Sequence, residues 1–200
     1  MNYLAHAYLS FGNSEILAGN MISDFVKGKK KYDYPRVIQD GIMLHRMIDT
    51  FTDTHPATKS AIAIFKPAVG AYAGAFTDVV YDHFLAGDKN EFPGESLADF
   101  AANVYSKLET FGAFLPERFQ KMLPFMIKQN WLLNYRTTNG IESSFGGIFR
   151  RAKYLEYTAD AFTCFRENYY ALNDCYNRFF PDVKTMALAE YNILTANDKS

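Results

Sequence analysis

In the stretch HRMIDTFTD, residues 45–53, His45, Asp49 and Asp53 recur at intervals of four. A helix turns once in about 3.6 residues, so the three side chains leave it from nearly the same side. Ile38 and Ile42 share that arc with His45 and Asp49, while Leu44, Ile48 and Phe51 fill the neighbouring one. The polar stripe borders apolar surface, and a carboxylate buried there without a partner is costly. A bound cation or a hydrogen-bond network resolves that cost. Imidazole nitrogen with carboxylate oxygen suits Mn²⁺, Fe²⁺, Zn²⁺ or Mg²⁺. Such an ion lowers the pKa of bound water and neutralises charge at a phosphoryl centre. A local His–Asp hydrogen bond along one helix explains the same spacing without an ion.

The first 83 residues repeat the theme, because all four histidines, His6, His45, His55 and His83, lie there. Asp24 stands in GNMISDF, and Asp78 and Asp82 lead up to His83 in DVVYDHF. Spread over four predicted helices, these groups argue for a shared site more strongly than any one pair. Structural roles compete at several of them. His55 precedes a proline and can cap the next helix, His6 can be a core histidine, and Asp53 can pair with Arg46 or Lys59. The chain has no G-x-x-x-x-G-K-[ST] phosphate loop and no G-x-S-x-G nucleophile elbow.

The elements that must carry these residues read as helices. A short one is predicted over 2–10. Ser14 caps a second, which runs through ILAGNMISDFV to Gly28. KGKKKYDY is a basic connection, and Pro35 opens a long helix to about residue 54, broken by His55-Pro56. Further helices are predicted at about 57–66, from Pro67 through DVVYDHFLAG, from Ser96 to about 111, from Pro116, and over 138–152 with an interruption at Gly146-Gly147. Two more span about 156–179 and 182–194, separated by Pro181. No alternating strand pattern, repeat or long linker stands out. The expectation is an all-α, single-domain multi-helix bundle over residues 1–200.

With 200 residues, 48% of them hydrophobic, the chain can bury a core without staples. A formal net charge of −1 gives no global field for nucleic acid or an anionic membrane. Cys164 and Cys175 lie eleven apart on what reads as one helix, about 16 Å of axis, too far for a disulfide within it. With no signal-peptide pattern and no membrane-length apolar run, a cytoplasmic protein is expected.

The ordered pieces NYLAH (2–6), GNMISDF (19–25), GIMLHRMIDTFTDTHP (41–56), DHFL (82–85) and GGIFRR (146–151) resemble the acyl carrier protein phosphodiesterase family, also called holo-ACP hydrolase. The resemblance implies an all-helical, HD-domain-like fold and removal of 4′-phosphopantetheine from holo acyl carrier protein. It implies a divalent metal, manganese ahead of magnesium, iron or zinc. By motif position it implies a metal set of His6, Asp24, His45, Asp49, Asp82 and His83, with Asp53, His55 and Asp78 as neighbours. Asp82-His83 reverses the His-Asp order of the HD signature, and Arg46 follows His45 where that signature has Asp.

Within that reading Asp24 or Asp49 handles the water, and Arg46 or Lys27 meets charge on phosphate. An acidic carrier protein calls for basic docking residues: Lys27, Lys29, Lys30, Lys31 and Arg36 on one side, Arg150 and Arg151 on another. Two other function classes fit the same residues. One is a phosphohydrolase acting on a nucleotide or other small phosphoester, and the other is a non-catalytic helical interaction module whose polar stripe is a buried network.

Overall fold

A computed structural model describes residues 1–94, 96–152 and 160–196. Among them are eleven α-helices joined by short 3₁₀ turns, and no strand. The helices are α1 (Tyr3–Tyr8), α2 (Ser14–Ile22), α3 (Arg36–Thr54), α4 (Pro56–Val69), α5 (Ala73–Gly87) and α6 (Ser96–Thr110). They continue with α7 (Glu117–Lys128), α8 (Trp131–Asn134), α9 (Thr138–Arg151), α10 (Asp160–Glu167) and α11 (Tyr169–Ala196). The expected all-α architecture is therefore present. One continuous apolar cluster, from Leu4 and Ile16 through Phe65 and Phe119 to Phe179, draws on most of the helices. No helix among the described residues is long and apolar enough to cross a membrane.

Several boundaries differ from expectation, each for a local reason. Asn13, not Ser14, caps α2, its side-chain oxygen accepting from the N–H groups of Glu15 and Ile16. The basic connection is itself a 3₁₀ turn, Gly28–Asp33. Pro67 lies inside the last turn of α4, which ends instead at Gly70, where φ is +56° and glycine meets no Cβ penalty. Gly146 and Gly147 do not interrupt α9. Pro181 lies within α11, flanked by buried Phe179, Phe180 and Val183, so packing outweighs its helix-breaking tendency. The predicted start of a helix at about 156 falls outside the described residues. Cys164 and Cys175 stand on different helices, and both thiols are free.

Two glycines set the geometry that matters for the site. A Cβ on Gly19 of α2 would lie 2.1 Å from the Ile38 carbonyl oxygen, and one on Gly41 of α3 would lie 2.4 Å from that of Ile16. Here α2 and α3 cross backbone against backbone, which only glycine allows.

A candidate metal centre

Asp82 is fully buried on α5, and its carboxylate accepts from the backbone N–H groups of Asn2, Leu4 and Ala5 at 3.3, 2.7 and 3.3 Å. A helix start leaves four N–H groups without intrahelical partners. Asp82 and the Asn2 side chain, which takes the Tyr3 N–H, satisfy those of α1. α1 is thereby fixed against α5, and His6 projects from it into the interior.

His6 meets His45 from α3 ring on ring, with centroids 3.9 Å apart and planes 16° from parallel. Both Nδ1 atoms rest on one residue. His6 Nδ1 lies 2.8 Å from Asn20 Oδ1, and His45 Nδ1 lies 2.8 Å from the Asn20 carbonyl oxygen. Asn20 is fully buried, and its own amide donates to the His6 carbonyl and to Ser10 Oγ. That pins its Oδ1 toward His6. Oxygen only accepts, so each Nδ1 carries a proton, and each Nε2 presents a lone pair whenever its ring is neutral. Asn20 lies in the last turn of α2, where carbonyls run out of intrahelical donors, so its backbone oxygen is open to His45.

Both Nε2 atoms are buried without an aligned hydrogen-bond partner. They face Asp49, whose Oδ1 is 3.2 Å from His6 Nε2 and whose Oδ2 is 3.0 Å from His45 Nε2. His6, His45 and Asp49 each offer a ligand atom within 4.8 Å of the others. Two orphaned ring nitrogens beside a carboxylate, each ring held from behind by an oxygen, fit a first-row divalent ion and its outer hydrogen-bonding layer. Asp24 stands at the mouth, mostly exposed, with Oδ1 3.4 Å from His45 Nε2. Asp78 accepts from the α-amino group of Met1 at 3.0 Å, and that amine is 3.7 Å from Asp49.

The remaining predicted residues separate clearly. Asp82 and His83 do not join the cluster. Asp82 is occupied at the start of α1, and His83 contacts the Tyr135 carbonyl through Nδ1 at 2.7 Å and the Tyr169 hydroxyl through Nε2 at 3.2 Å. Their contacts, not their adjacency, hold the two side chains on different neighbours, away from the group formed by His6, His45 and Asp49. His55 caps α4 by accepting the Ala57 N–H and contacts Asp182 with its other nitrogen. Asp53 is exposed further along α3. Arg46 donates to the Val26 carbonyl at 2.9 Å, bracing the segment that carries Asp24. Lys27, Lys29, Lys30 and Arg36 are exposed, and Lys31 is half-buried against Met43. Asn20 was not singled out by spacing. Its signal is a lone amide inside the apolar run LAGNMI.

Electrostatics divides the two histidines. Burial pushes His6 down, and the neighbouring His45 charge adds to that, to about 4. Burial also opposes the charge on His45, but contacts with Asp24 and Asp49 outweigh it and lift the pKa to about 9. Burial would raise Asp49, yet the two histidines hold it well below the usual carboxylate range. Contact with His45 lowers Asp24 as well.

Without metal, the folded protein keeps the His45 proton up to about pH 9, whereas an unperturbed histidine releases it near 6.5. That contribution to stability is full below 6.5 and is lost as pH rises through 9. His6 works in the other limb: between 6.5 and about 4 the unfolded chain binds its proton first, so stability falls as pH drops. Asp82, pushed up to about 7 by burial, opposes His6 over that acid range, so the melting temperature of chelator-treated protein is expected to fall as pH rises from ~6.5 to about 9. Added metal competes with the His45 proton and raises Tm most on the alkaline side. A chelated Tm that stays flat between pH 6.5 and 9 contradicts this electrostatic assignment.

The family model for acyl carrier protein phosphodiesterase matches residues 1–183. The chain belongs to that family. An acyl carrier protein phosphodiesterase of Yersinia pestis is 32% identical over 188 residues, covering 94% of this chain and 97% of the relative. One from Photorhabdus laumondii is 31% identical over 182 residues, covering 90% and 92%. One from Enterobacter is 31% identical over 188 residues, covering 94% and 97%. No solved structure matches the chain.

Proposed function

We propose that this family member is a metal-dependent phosphodiesterase that removes 4′-phosphopantetheine from holo acyl carrier protein and returns the apo carrier. The observation that carries the reading is the pair of unpartnered Nε2 atoms converging with Asp49. His6, His45 and Asp49 would hold the ion; two nitrogens and a carboxylate suit a first-row divalent ion, and the family resemblance puts manganese first. When bound, the ion supplies charge neutralisation at phosphate and a more acidic water.

The chain's own groups account for the rest. Asp24 keeps its charge, is exposed at the mouth and lies beside His45, so it orients the attacking water and takes its proton. The water oxygen bonds to phosphorus as the bond from phosphorus to the carrier serine oxygen breaks. The proton ends on that serine, and phosphopantetheine leaves as a monoester. Lys27, exposed three residues beyond Asp24, offsets charge on the phosphate. Arg46 acts through its hold on Val26, as a positioning residue. Lys29, Lys30, Lys31 and Arg36, on the same side as Asp24, meet the acidic carrier.

The test is the mass of holo carrier protein incubated with Mn²⁺-loaded protein. Loss of the phosphopantetheine mass is expected, abolished by chelation and by Asp24→Ala, with excess Mn²⁺ restoring nothing in the variant. Salt should raise KM, because exposed lysines act over roughly a Debye length, ~8 Å at physiological ionic strength. A carrier mass unchanged by the loaded wild-type protein would overturn the proposal.

A further inference from the structure

Beside the cluster lies a cavity of about 590 Å³, walled by the start of α1 and by α8 and α9. Its size is that of a small-molecule site, which ordinarily spans ~300–1,000 Å³. Tyr3 lines it, and Tyr3 and His6 are three residues apart on α1, hence neighbours on one helix face. Val79 lines it too, next to Asp78, which the Met1 amine links to Asp49. Through Tyr3 and Val79 the cavity borders the elements that carry the site, and Arg151 lines it.

Its lining has a particular chemistry. Arg150 and Arg151 are cations able to meet an anion, Asn134 and Ser143 offer amide and hydroxyl groups, and Trp131 and Tyr135 add aromatic walls. Sequence spacing assigned both arginines to carrier docking; both are exposed, and both line this cavity. The glycines of α9 differ from one another in a telling way. Gly140 has a packing reason, since a Cβ there would lie 1.9 Å from the Asn134 carbonyl oxygen. Gly147 has none: a Cβ would meet only Arg150, at an ordinary 3.7 Å. A glycine inside a helix costs about 1 kcal/mol relative to alanine. What Gly147 does accomplish is to keep the cavity wall low.

We infer that this cavity receives the pantetheine arm of the holo carrier, with the phosphate end toward Arg151 and the His–Asp cluster. The inference rests on the function proposed above. The arm is anionic at one end and carries two amides and a hydroxyl along a slender chain. The arginines, the amide and hydroxyl groups, and the aromatic walls match those parts in turn. The arm enters the protein while the carrier stays outside on the lysine face.

Trp131 is the chain's single tryptophan and lines the cavity, so its emission reports filling. Free 4′-phosphopantetheine titrated into the Mn²⁺-loaded protein is expected to shift that emission saturably. Gly147→Leu and, separately, Ser143→Tyr should weaken this binding about tenfold or more. Both should keep wild-type metal content, since neither position touches the cluster, and Gly147→Leu should melt no lower than wild type. With holo carrier the same variants should lose a comparable factor in kcat/KM. Turnover and arm binding that both variants leave at wild-type levels would overturn the inference while the phosphodiesterase reading stands. Arm binding that the variants weaken, in a protein that never cleaves holo carrier, would support the cavity assignment and sink the phosphodiesterase reading instead.

Discussion

Asp49→Asn is expected to lower kcat/KM for holo carrier protein by about a thousandfold, ~4 kcal/mol of transition-state stabilisation, while the protein stays folded. The side chain keeps its size, so the change isolates charge. Among the described residues Asp49 is the one group that faces both orphaned ring nitrogens, at 3.2 and 3.0 Å. An amide is a weak ligand for a divalent ion and cannot neutralise it, so metal content after purification should fall as well. The substitution has a second consequence that needs no metal. His45 owes its raised pKa to Asp24 and Asp49 together. With Asp49 neutralised, burial regains ground and the His45 pKa drops. The alkaline limb of the chelated Tm profile should then flatten. Metal content, turnover and the Tm profile would report on one carboxylate by three routes. A variant that loses turnover but keeps its metal and its alkaline limb would place Asp49 outside the metal site.

The helix wheel of residues 35–54 anticipated part of this centre. It put His45 and Asp49 against apolar neighbours; Asp53, set on the same stripe, is exposed. Periodicity could do that because a helix face is a local property. What it could not resolve is which groups on different helices meet. Asp82 and His83 look like a ligand pair in DVVYDHF, but tertiary packing gives them different partners, the start of α1 for one and Tyr135 and Tyr169 for the other. Asn20 is the reverse case. It carries no distinctive spacing, yet it holds both imidazoles, one through its side chain and one through its backbone. A backbone contact leaves no trace in residue type. The basic residues are a similar case, because only tertiary packing shows that the exposed Arg150 and Arg151 also line a cavity. The all-helical class was legible throughout. The stops at Pro67 and Pro181 were not, because packing of the surrounding core decided them.

Gly41→Ala is expected to damage the metal site from the far side of a helix contact. Adding one methyl group normally helps a helix, by about 1 kcal/mol over glycine. Here the methyl would lie 2.4 Å from the Ile16 carbonyl oxygen and 3.0 Å from the Gly19 Cα, so α2 must move away from α3. Overpacking of this kind costs roughly 1–3 kcal/mol. The same displacement pulls the Asn20 carbonyl from His45 Nδ1, now 2.8 Å apart. Losing an outer hydrogen bond to a ligating histidine weakens metal binding by roughly 10–100-fold. Gly74→Ala provides the contrast, because a Cβ there meets nothing within 4 Å. It should leave metal affinity unchanged and Tm equal or higher. The two substitutions add the same atom to glycines in the same fold, so any difference in metal affinity between them comes from the α2–α3 crossing. Equal metal affinity in both variants would show that His45 does not depend on Asn20 for its orientation. Weaker binding in Gly41→Ala alone would mean that the site is built by how closely two backbones approach, with Asn20 as the residue that converts that approach into the direction of two imidazole lone pairs.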